Sequence, residues 1–104
     1  MDNVQDKTVM ITGGAGGLGS EFVKIILEHG ARKVAVVDLP MPQVREKVAE
    51  FENKYGKNRI AFFACDITKV KEYEQTFKKI VDSFDYLDTL VNNAGMLDDN
   101  KLEQ

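Results

Sequence analysis

Four short apolar runs alternate with three amphipathic stretches along the chain, and this order constrains the fold more than any other feature. The apolar runs predict strands at residues 9–11, 34–37, 60–64 and 87–91. The second run is apolar at every position, which is typical of a strand that is covered on both faces. The alternation therefore predicts an α/β protein with a parallel sheet, right-handed crossovers and helices on both faces.

Apolar residues at helical spacing mark the three amphipathic stretches. The first helix is predicted from about Leu18 to His29, with Gly30 as its C-cap, and the second is predicted to close at Gly56. The predicted apolar faces carry Leu18, Phe22, Ile25 and Ile26 in the first helix, Val44, Val48, Phe51 and Tyr55 in the second, and Val70, Tyr73, Phe77, Ile80, Val81 and Phe84 in the third. The predicted order is β-α-β-α-β-α-β in one domain over residues 1–104, and a further helix opens at Asp98.

Composition narrows the class of protein. A chain of 104 residues with 43% apolar and 30% charged residues suits one globular domain. The net charge of -3, without a dense Lys/Arg cluster, argues against a nucleic-acid partner.

The single cysteine, Cys65, lies in an apolar run and predicts a buried core thiol. The acidic N-terminal residues and the break at Gly13 predict neither a signal peptide nor a membrane span, so the expected location is cytoplasmic.

A glycine-rich segment joins the first predicted strand to the first predicted helix. It reads Thr12-Gly13-Gly14-Ala15-Gly16-Gly17-Leu18-Gly19. A pyrophosphate bound there would meet free backbone N–H groups and the positive end of the helix dipole, and glycine permits the close approach. Glycines also mark ordinary turns, but the strand before and the helix after favour a phosphate-binding loop.

An acidic residue, Asp38, ends the second predicted strand, 19 positions beyond Gly19. A carboxylate at about this spacing can accept hydrogen bonds from the ribose hydroxyls of a dinucleotide, and it would repel a 2′-phosphate. No Arg or Lys follows at Leu39, Pro40 or Met41, so NAD is favoured over NADP. A turn or capping Asp at a strand end is the structural alternative.

Two further polar segments follow the third and fourth predicted strands. Asp66 could accept a hydrogen bond from an adenine amino group, with Ile67 packed on the ring, or it could be the N-cap of the third helix with Thr68 as competitor. Asn92-Asn93-Ala94-Gly95 is either part of the same ligand-binding edge or simply a loop.

These motifs together resemble those of the short-chain dehydrogenases/reductases. Thr12-Gly13-x-x-x-Gly17-x-Gly19 is similar to the cofactor loop of that family, Asp38 to its NAD-selecting acid, Asp66-Ile67 to its adenine-contact pair, and Asn92-Asn93-Ala94-Gly95 to the motif after its fourth strand. The resemblance covers essentially the whole chain and looks closest to the NAD-dependent branch that contains insect-type alcohol dehydrogenases and hydroxyprostaglandin dehydrogenase. It implies a Rossmann-type doubly wound sheet, of which this chain would supply strands in the order 3-2-1-4.

The resemblance implies NAD as the cofactor and assigns each motif a part of it. The loop from Gly13 to Gly19 would hold the pyrophosphate, Asp38 the adenine-side ribose, and Asp66 and Ile67 the adenine. Asn93 and the backbone of Ala94-Gly95 would line the cofactor near its nicotinamide-side ribose. The full set of expected cofactor-binding residues is Thr12, Gly13, Gly17, Leu18, Gly19, Asp38, Leu39, Asp66, Ile67, Asn92, Asn93, Ala94 and Gly95. The complete enzyme would be a homo-oligomer that acts on a small alcohol or carbonyl compound. No metal site and no membrane partner are expected.

The catalytic residues that the resemblance implies are not found in this sequence. The family uses a Tyr as general acid/base, a Lys four positions later that lowers the Tyr pKa, a Ser and an Asn. The residues four positions after Tyr55, Tyr73 and Tyr86 are Arg59, Phe77 and Leu90, none of them a Lys. His29 is explained by its place at a helix C-terminus. The catalytic residues are therefore expected beyond Gln104, and the chain is expected to be inactive alone.

Two functional interpretations share every motif. In one, the chain is the N-terminal part of an oxidoreductase that passes a hydride between a substrate carbon and nicotinamide. In the other, it is a genuine short, non-catalytic dinucleotide-binding or subunit-interaction module. A flavodoxin-like signalling domain is disfavoured, because the first strand ends in Thr12-Gly13-Gly14 rather than in carboxylates. The chain alone is expected to be marginal and association-prone, because the fourth strand would form an exposed edge and the first and fourth strands would lose a cover.

Overall fold

A computed structural model describes residues 4–13, 17–84 and 87–92, with the backbone alone for residues 17, 18 and 90–92. The elements, in chain order, are β1 Thr8–Thr12, α1 Gly17–Glu28, β2 Lys33–Asp38, α2 Pro42–Tyr55, β3 Ile60–Ala64, α3 Val70–Phe84 and β4 Thr89–Asn92. The order of elements follows the prediction from hydrophobic spacing.

The strands form one parallel sheet in the order β3-β2-β1-β4. This confirms the predicted sheet and the 3-2-1-4 part of the strand order. The register places Thr12 opposite both Val37 of β2 and Asn92 of β4, while Asp38 lies opposite Ala64 of β3. The carboxyl ends of the strands therefore meet along one edge of the sheet, where the polar segments of the sequence follow them.

Helices cover both faces of the sheet, which explains why β1 and β2 are apolar without alternation. On one face, the strand residues Val9, Ile11, Val34, Val36 and Ile60 pack with Val23, Ile26 and Leu27 of α1 and Val44, Val48 and Phe51 of α2. On the other face, Met10, Ala35 and Val37 pack with Ile80 and Phe84 of α3 and with Cys65. Successive strand residues alternate between the two cores, as the pleat of a strand requires.

Most predicted element ends are within one residue of the observed ones, and two departures from the prediction, at β4 and α2, have local causes. β4 begins at Thr89, not at residue 87, because the backbone and side chain of Asp88 are both bonded to Thr8 before the ladder starts. Pro42 opens α2 rather than only breaking the chain, since a proline at the first helical position lacks an N–H that would be unpaired there anyway.

The predicted C-cap at Gly30 is confirmed. Gly30 has φ +90°, its N–H donates to the carbonyl of Leu27 at 3.2 Å, and the N–H of Ala31 donates to the carbonyl of Ile26 at 3.2 Å. These two bonds form a Schellman motif. The motif needs one residue in the left-handed conformation, which glycine adopts without the steric cost of a Cβ.

Some of the predicted helix faces are wrong in detail. Val70 is 66% exposed and Phe77 is 39% exposed, so neither belongs to the buried face of α3. Thr76 is buried there instead, with its hydroxyl donating to the carbonyl of Glu72 at 2.9 Å. In α1, Val23 and Leu27 are fully buried, although the predicted stripe did not contain them.

The first strand does not lose its cover. Every residue of β1 is buried, and Met10 packs with Ile80 and Phe84 of α3. The expectation that the first strand would lose a cover is therefore wrong, because side chains of α3 share a buried core with Met10 on that face of the sheet. Within the described ranges, none of the helices has the length and apolar character needed to cross a membrane.

Candidate functional site

A cleft of about 160 Å³ opens beyond the carboxyl ends of β1, β2 and β3. It is lined by Gly13, Val37, Asp38, Leu39, Cys65, Asp66, Ile67 and Thr68. The crevice outside the carboxyl ends of the strands is where open parallel sheets bind ligands. The structure thus brings five sequence-predicted site residues together: Gly13, Asp38, Leu39, Asp66 and Ile67.

Gly13 turns the chain at the end of β1. Its φ is +66°, in the left-handed region, and its N–H donates to the carbonyl of Val37 at 2.7 Å. Glycine adopts this conformation without the steric cost that a Cβ would add. The bond extends the β1–β2 pairing past the last strand residue, so the position of Gly13 in the cleft wall is fixed by β2.

The N-terminus of α1 follows this turn closely. Gly17 is the first residue of the helix, Leu18 follows it, and Gly19 is buried in the first turn. Residues 14–16, the middle of the predicted phosphate loop, lie outside the described residues. The first N–H groups of a helix have no partner within the helix and carry its positive dipole end, which suits an anion such as a pyrophosphate.

Asp38 is anchored at the end of β2 through its backbone and its side chain. Its carbonyl accepts the N–H of Cys65 at 2.9 Å, which joins the ends of β2 and β3. Its carboxylate Oδ1 accepts the N–H of Leu39 at 2.8 Å, and the Leu39 side chain is 44% exposed at the rim of the cleft. The carboxylate therefore has a defined place in the cleft wall.

Asp66 begins a tight turn over residues 66–69, which we name the Asp66 turn. Its carbonyl accepts the N–H of Lys69 at 3.0 Å, and its Oδ1 accepts the N–H of Thr68 at 3.0 Å and the Thr68 hydroxyl at 2.6 Å. These bonds from Thr68 lower the pKa of Asp66 below its ordinary value. Because α3 begins at Val70, Asp66 is a turn residue and not the N-cap of that helix.

Ile67 has two distinct surroundings within the Asp66 turn. Its side chain lines the cleft and packs against the core on the α3 face. Its backbone N–H finds no acceptor among the residues that the structure describes, whereas the N–H groups of Cys65, Asp66, Thr68 and Lys69 are all bonded. A planar heterocycle in the cleft would find an apolar side chain and a hydrogen-bond donor at one residue.

The sequence patterns missed Glu72, the third residue of α3. Its Oε2 accepts the backbone N–H of Asp66 at 2.6 Å, and Glu72 is half-buried. A Glu at the third position of a helix is a known signal for a side chain that reaches back to the preceding segment. That signal could be used only if the helix start at Val70 had been predicted.

Cys65 lines the cleft, but its chemistry is that of a core residue. It is buried, as predicted, and burial raises the pKa of its thiol, with the nearby Glu72 and Asp66 carboxylates adding to the effect. A raised pKa keeps the thiol protonated, and the thiolate is the nucleophilic form. Cys65 is therefore poorly suited to be a nucleophile.

The described tyrosines are also unsuited to act as bases. Burial raises the pKa of Tyr55, whose hydroxyl donates to Glu28 at 2.9 Å, and burial raises the pKa of Tyr73.

His29 contacts the carbonyl of Ile25 through Nδ1 at 2.8 Å at the C-terminal end of α1. No three His, Cys, Asp or Glu side chains within the described ranges could together hold a metal ion.

The remaining predicted site residues lie along the same edge of the sheet or outside the described part. Thr12 and Asn92 end β1 and β4 opposite each other. Asn93, Ala94 and Gly95 lie outside the described residues.

Comparison with known proteins gives consistent matches. A sequence profile described as short chain dehydrogenase matches residues 7–104. The chain is 37% identical to rat (Rattus norvegicus) 15-hydroxyprostaglandin dehydrogenase (NAD+) over 98% of its own length and 38% of that protein. It is 39% identical to Arabidopsis thaliana short-chain dehydrogenase reductase 3a over 88% of its length and 34% of that protein. A solved short chain dehydrogenase from Mycobacterium smegmatis superposes with a TM-score of 0.78 at 28% identity, covering 89% of this chain and 38% of that one.

Proposed function

Because this chain belongs to the short-chain dehydrogenase family, we propose that it is the NAD(H)-binding portion of an oxidoreductase. The observation that carries the proposal is the cleft at the carboxyl ends of the strands, where Gly13, Asp38, Asp66 and Ile67 meet. A dinucleotide needs an anion site, a ribose acceptor and a place for a base, and these residues offer groups suited to each. The proposed dinucleotide-binding domain extends over the whole chain.

The residues of the cleft fit the adenosine half of the cofactor. The left-handed Gly13 lets the backbone approach the pyrophosphate, which would lie at the N-terminus of α1. The Asp38 carboxylate would accept hydrogen bonds from the ribose hydroxyls. Asp66 and the N–H of Ile67 would meet the polar edge of adenine, while the Ile67 side chain packs on the ring.

The charge of the cleft supports NAD rather than NADP. Among the residues that the structure describes, the cleft lining contains the carboxylates of Asp38 and Asp66 and no Lys or Arg. A 2′-phosphate on the ribose would be placed beside Asp38 without a cation in the lining to neutralise it, and such like-charge contacts are unfavourable. The similarity to dehydrogenases named for NAD+ points the same way.

The whole protein would perform the redox step. When bound, NAD supplies a nicotinamide ring that accepts or returns a hydride, and the substrate would be an alcohol or carbonyl compound. This chain spans 38% of the length of its rat relative, and the described residues contain no tyrosine suited to act as the base. The chain itself would hold and orient the adenosine half, and a homo-oligomeric assembly and a cytoplasmic location remain part of the proposal.

Calorimetric titration of the purified chain with NADH, NADPH and ADP-ribose tests the proposal. ADP-ribose contains the parts that the cleft and the glycine loop would hold, so we expect it to bind about as well as NADH. NADPH should bind at least roughly tenfold more weakly, which corresponds to one unfavourable charge contact of about 1.4 kcal/mol.

Each result of the titration has a separate meaning. Absence of binding by all three ligands, in a chain shown to be folded by circular dichroism, would overturn the proposed cofactor site. Equal binding of NADH and NADPH would leave a dinucleotide site but would overturn the preference for NAD.

A further inference from the structure

The Asp66 turn is fixed by bonds within it and by bonds that join its start to neighbouring elements. Inside the turn, Thr68 and Lys69 donate to Asp66. From outside, the N–H of Cys65 is bonded to the carbonyl of Asp38, and the N–H of Asp66 is bonded to the carboxylate of Glu72 on α3. Glu72 is thus the side chain that ties the start of the turn to the helix behind it.

From this arrangement we propose that Glu72 is a positioning residue for the base-binding wall of the cleft. The inference rests on the proposed function, because it concerns how the same site holds adenine. The role is not catalytic, since Glu72 does not line the cleft and would act only through Asp66 and Ile67.

The bond from Asp66 to Glu72 has the features of a strong positional restraint. The nitrogen–oxygen distance is 2.6 Å and the acceptor is a carboxylate, so the bond is charge-assisted. Glu72 is half-buried, so water competes for its carboxylate less than it would for an exposed one. The acceptor is fixed because α3 is packed on the sheet through Ile80 and Phe84.

Loss of this bond would move the two groups that face a base. The Asp66 nitrogen is bonded to the Cα from which the Asp66 side chain extends, and the N–H of Ile67 is one peptide unit further along. A shift of the Asp66 backbone therefore displaces both the acceptor for an exocyclic amino group and the neighbouring donor. Misplacement of hydrogen-bonding groups lowers affinity for the base more than for the pyrophosphate, which lies at another part of the site.

A conservative variant separates positioning from the charge of Glu72. In Glu72→Gln, the amide oxygen can still accept the Asp66 N–H, whereas Glu72→Ala has no acceptor. Glu74→Ala is the matched control, because Glu74 is an exposed glutamate on the same helix, two positions further on. We expect Glu72→Ala to bind NADH roughly tenfold more weakly, with Glu72→Gln close to the unchanged chain and Glu74→Ala indistinguishable from it.

A base-specific ligand distinguishes positioning from general destabilisation. Reduced nicotinamide hypoxanthine dinucleotide lacks the exocyclic amino group that would donate a hydrogen bond to Asp66. The unchanged chain should therefore bind NADH more tightly than the hypoxanthine analogue. Glu72→Ala should reduce that preference several-fold, and in an Asp66→Ala background, where the preference is already lost, it should cause no further reduction. Calorimetric titration of all variants with both dinucleotides measures these ratios.

The outcomes separate this inference from the function on which it rests. If the folded, unchanged chain does not bind NADH, the proposed function and the role of Glu72 both fall. If it binds NADH and Glu72→Ala binds equally well, only the role of Glu72 is overturned. If Glu72→Ala weakens both dinucleotides by the same factor, Glu72 is a structural cap, and the positioning role is likewise overturned.

Discussion

Thr8 and Asp88 bind each other reciprocally across the start of the β1–β4 pair. The Asp88 Oδ2 accepts the Thr8 N–H at 2.9 Å and the Thr8 hydroxyl at 3.2 Å, and the Asp88 N–H donates back to the Thr8 carbonyl at 3.0 Å. Thr8 is fully buried and Asp88 is exposed. The pair sets the register of β4 at the amino ends of the strands, opposite to the edge that carries the cleft.

Asp88→Ala should therefore destabilise the fold without changing ligand preference. The substitution removes the Asp88 oxygen that accepts the Thr8 N–H and hydroxyl, and the loss of such bonds at a buried residue costs about 1–3 kcal/mol. We expect a loss near the lower end of that range, because water can reach the exposed Asp88 position. Urea unfolding followed by circular dichroism measures the free energy of unfolding.

Asp88→Asn provides the matched control for this prediction. Both Thr8 bonds go to the same oxygen, and the Asn amide oxygen can take its place. Asn should therefore retain most of the stability that Ala loses. Equal losses in both variants would show that the charge of Asp88, and not its bonds to Thr8, stabilises the fold.

Phe77 provides a test of self-association. Its ring is 39% exposed on α3, and Val70 on the same helix is 66% exposed. Exposed apolar side chains favour contacts between chains. We expect Phe77→Gln to lower the self-association of the chain several-fold in sedimentation velocity, while Lys78→Gln, an exposed neighbour on the same helix, has no effect.

The free energy of unfolding of Phe77→Gln shows whether a change in self-association comes from the exposed surface or from loss of the fold. Since the ring is not part of the buried core, the free energy of unfolding should fall by less than about 1 kcal/mol. A monomeric unchanged chain, or equal association of the two variants, would refute the role of Phe77 in association.

The main features of the fold could be predicted because each strand and helix has a local signature. Continuous apolar runs such as residues 34–37 predicted strands with two covered faces, and Val34 and Val37 indeed belong to opposite cores. The helix faces were harder to predict. Thr76 is polar yet buried, since its hydroxyl is bonded within its own helix, while Phe77 is apolar yet exposed. Hydrophobic spacing cannot reveal which side of a broad stripe meets the sheet.

The site was predicted in pieces, and the relations between the pieces required the structure. Asp38 and Asp66 were each found at a strand end, and the parallel order of β2 and β3 brings them to one cleft. The contact between Asp66 and Glu72 depends on where α3 begins, which periodicity locates poorly. Cys65 and Asp38 line the same cleft, and the N–H of Cys65 donates to the carbonyl of Asp38. No local pattern in the sequence indicates this bond.

The Cys65 thiol should make the stability of the chain fall at alkaline pH. Burial raises its pKa above the ordinary value of 9.0, so the folded chain favours the neutral thiol. Its contribution is complete below pH 9.0 and is lost as the pH rises through the higher pKa of the folded state. As the pH rises from 9.0 to the higher pKa of the folded state, the free energy of unfolding should fall more for the unchanged chain than for Cys65→Ala, which has no thiol to ionise.

The effect of Cys65 is isolated by comparing how steeply the free energy of unfolding falls with pH in the unchanged chain and in Cys65→Ala. Tyr55 also has a raised pKa, and because Cys65 does not contribute to it, its titration is the same in both proteins. The pKa of Tyr73 is raised by burial and further by the charge of Cys65, so only the part due to burial cancels and the remainder belongs to the effect of Cys65. Urea unfolding at a series of pH values above neutrality provides the two curves. Parallel curves would contradict the assignment of the alkaline loss to Cys65.

Asp38 should determine the choice between NADH and NADPH. Asp38→Ala removes both the ribose acceptor and the charge that repels a 2′-phosphate, so NADH should bind more weakly and the discrimination against NADPH should shrink roughly tenfold. Calorimetric titration with the two reduced dinucleotides measures both changes. Asp82→Ala, at an exposed aspartate on α3, removes the same charge far along the chain and should leave both affinities unchanged.

Asp38→Asn separates the charge of Asp38 from its structural bond. The Asp38 Oδ1 accepts the N–H of Leu39, and an Asn oxygen can keep that bond and hence the shape of the cleft wall. If charge repulsion sets the preference, Asn should relax discrimination as far as Ala while retaining more affinity for NADH. If both variants discriminate against NADPH as strongly as the unchanged chain does, Asp38 is not the selecting residue, and its place at the end of β2 is only that of a turn residue.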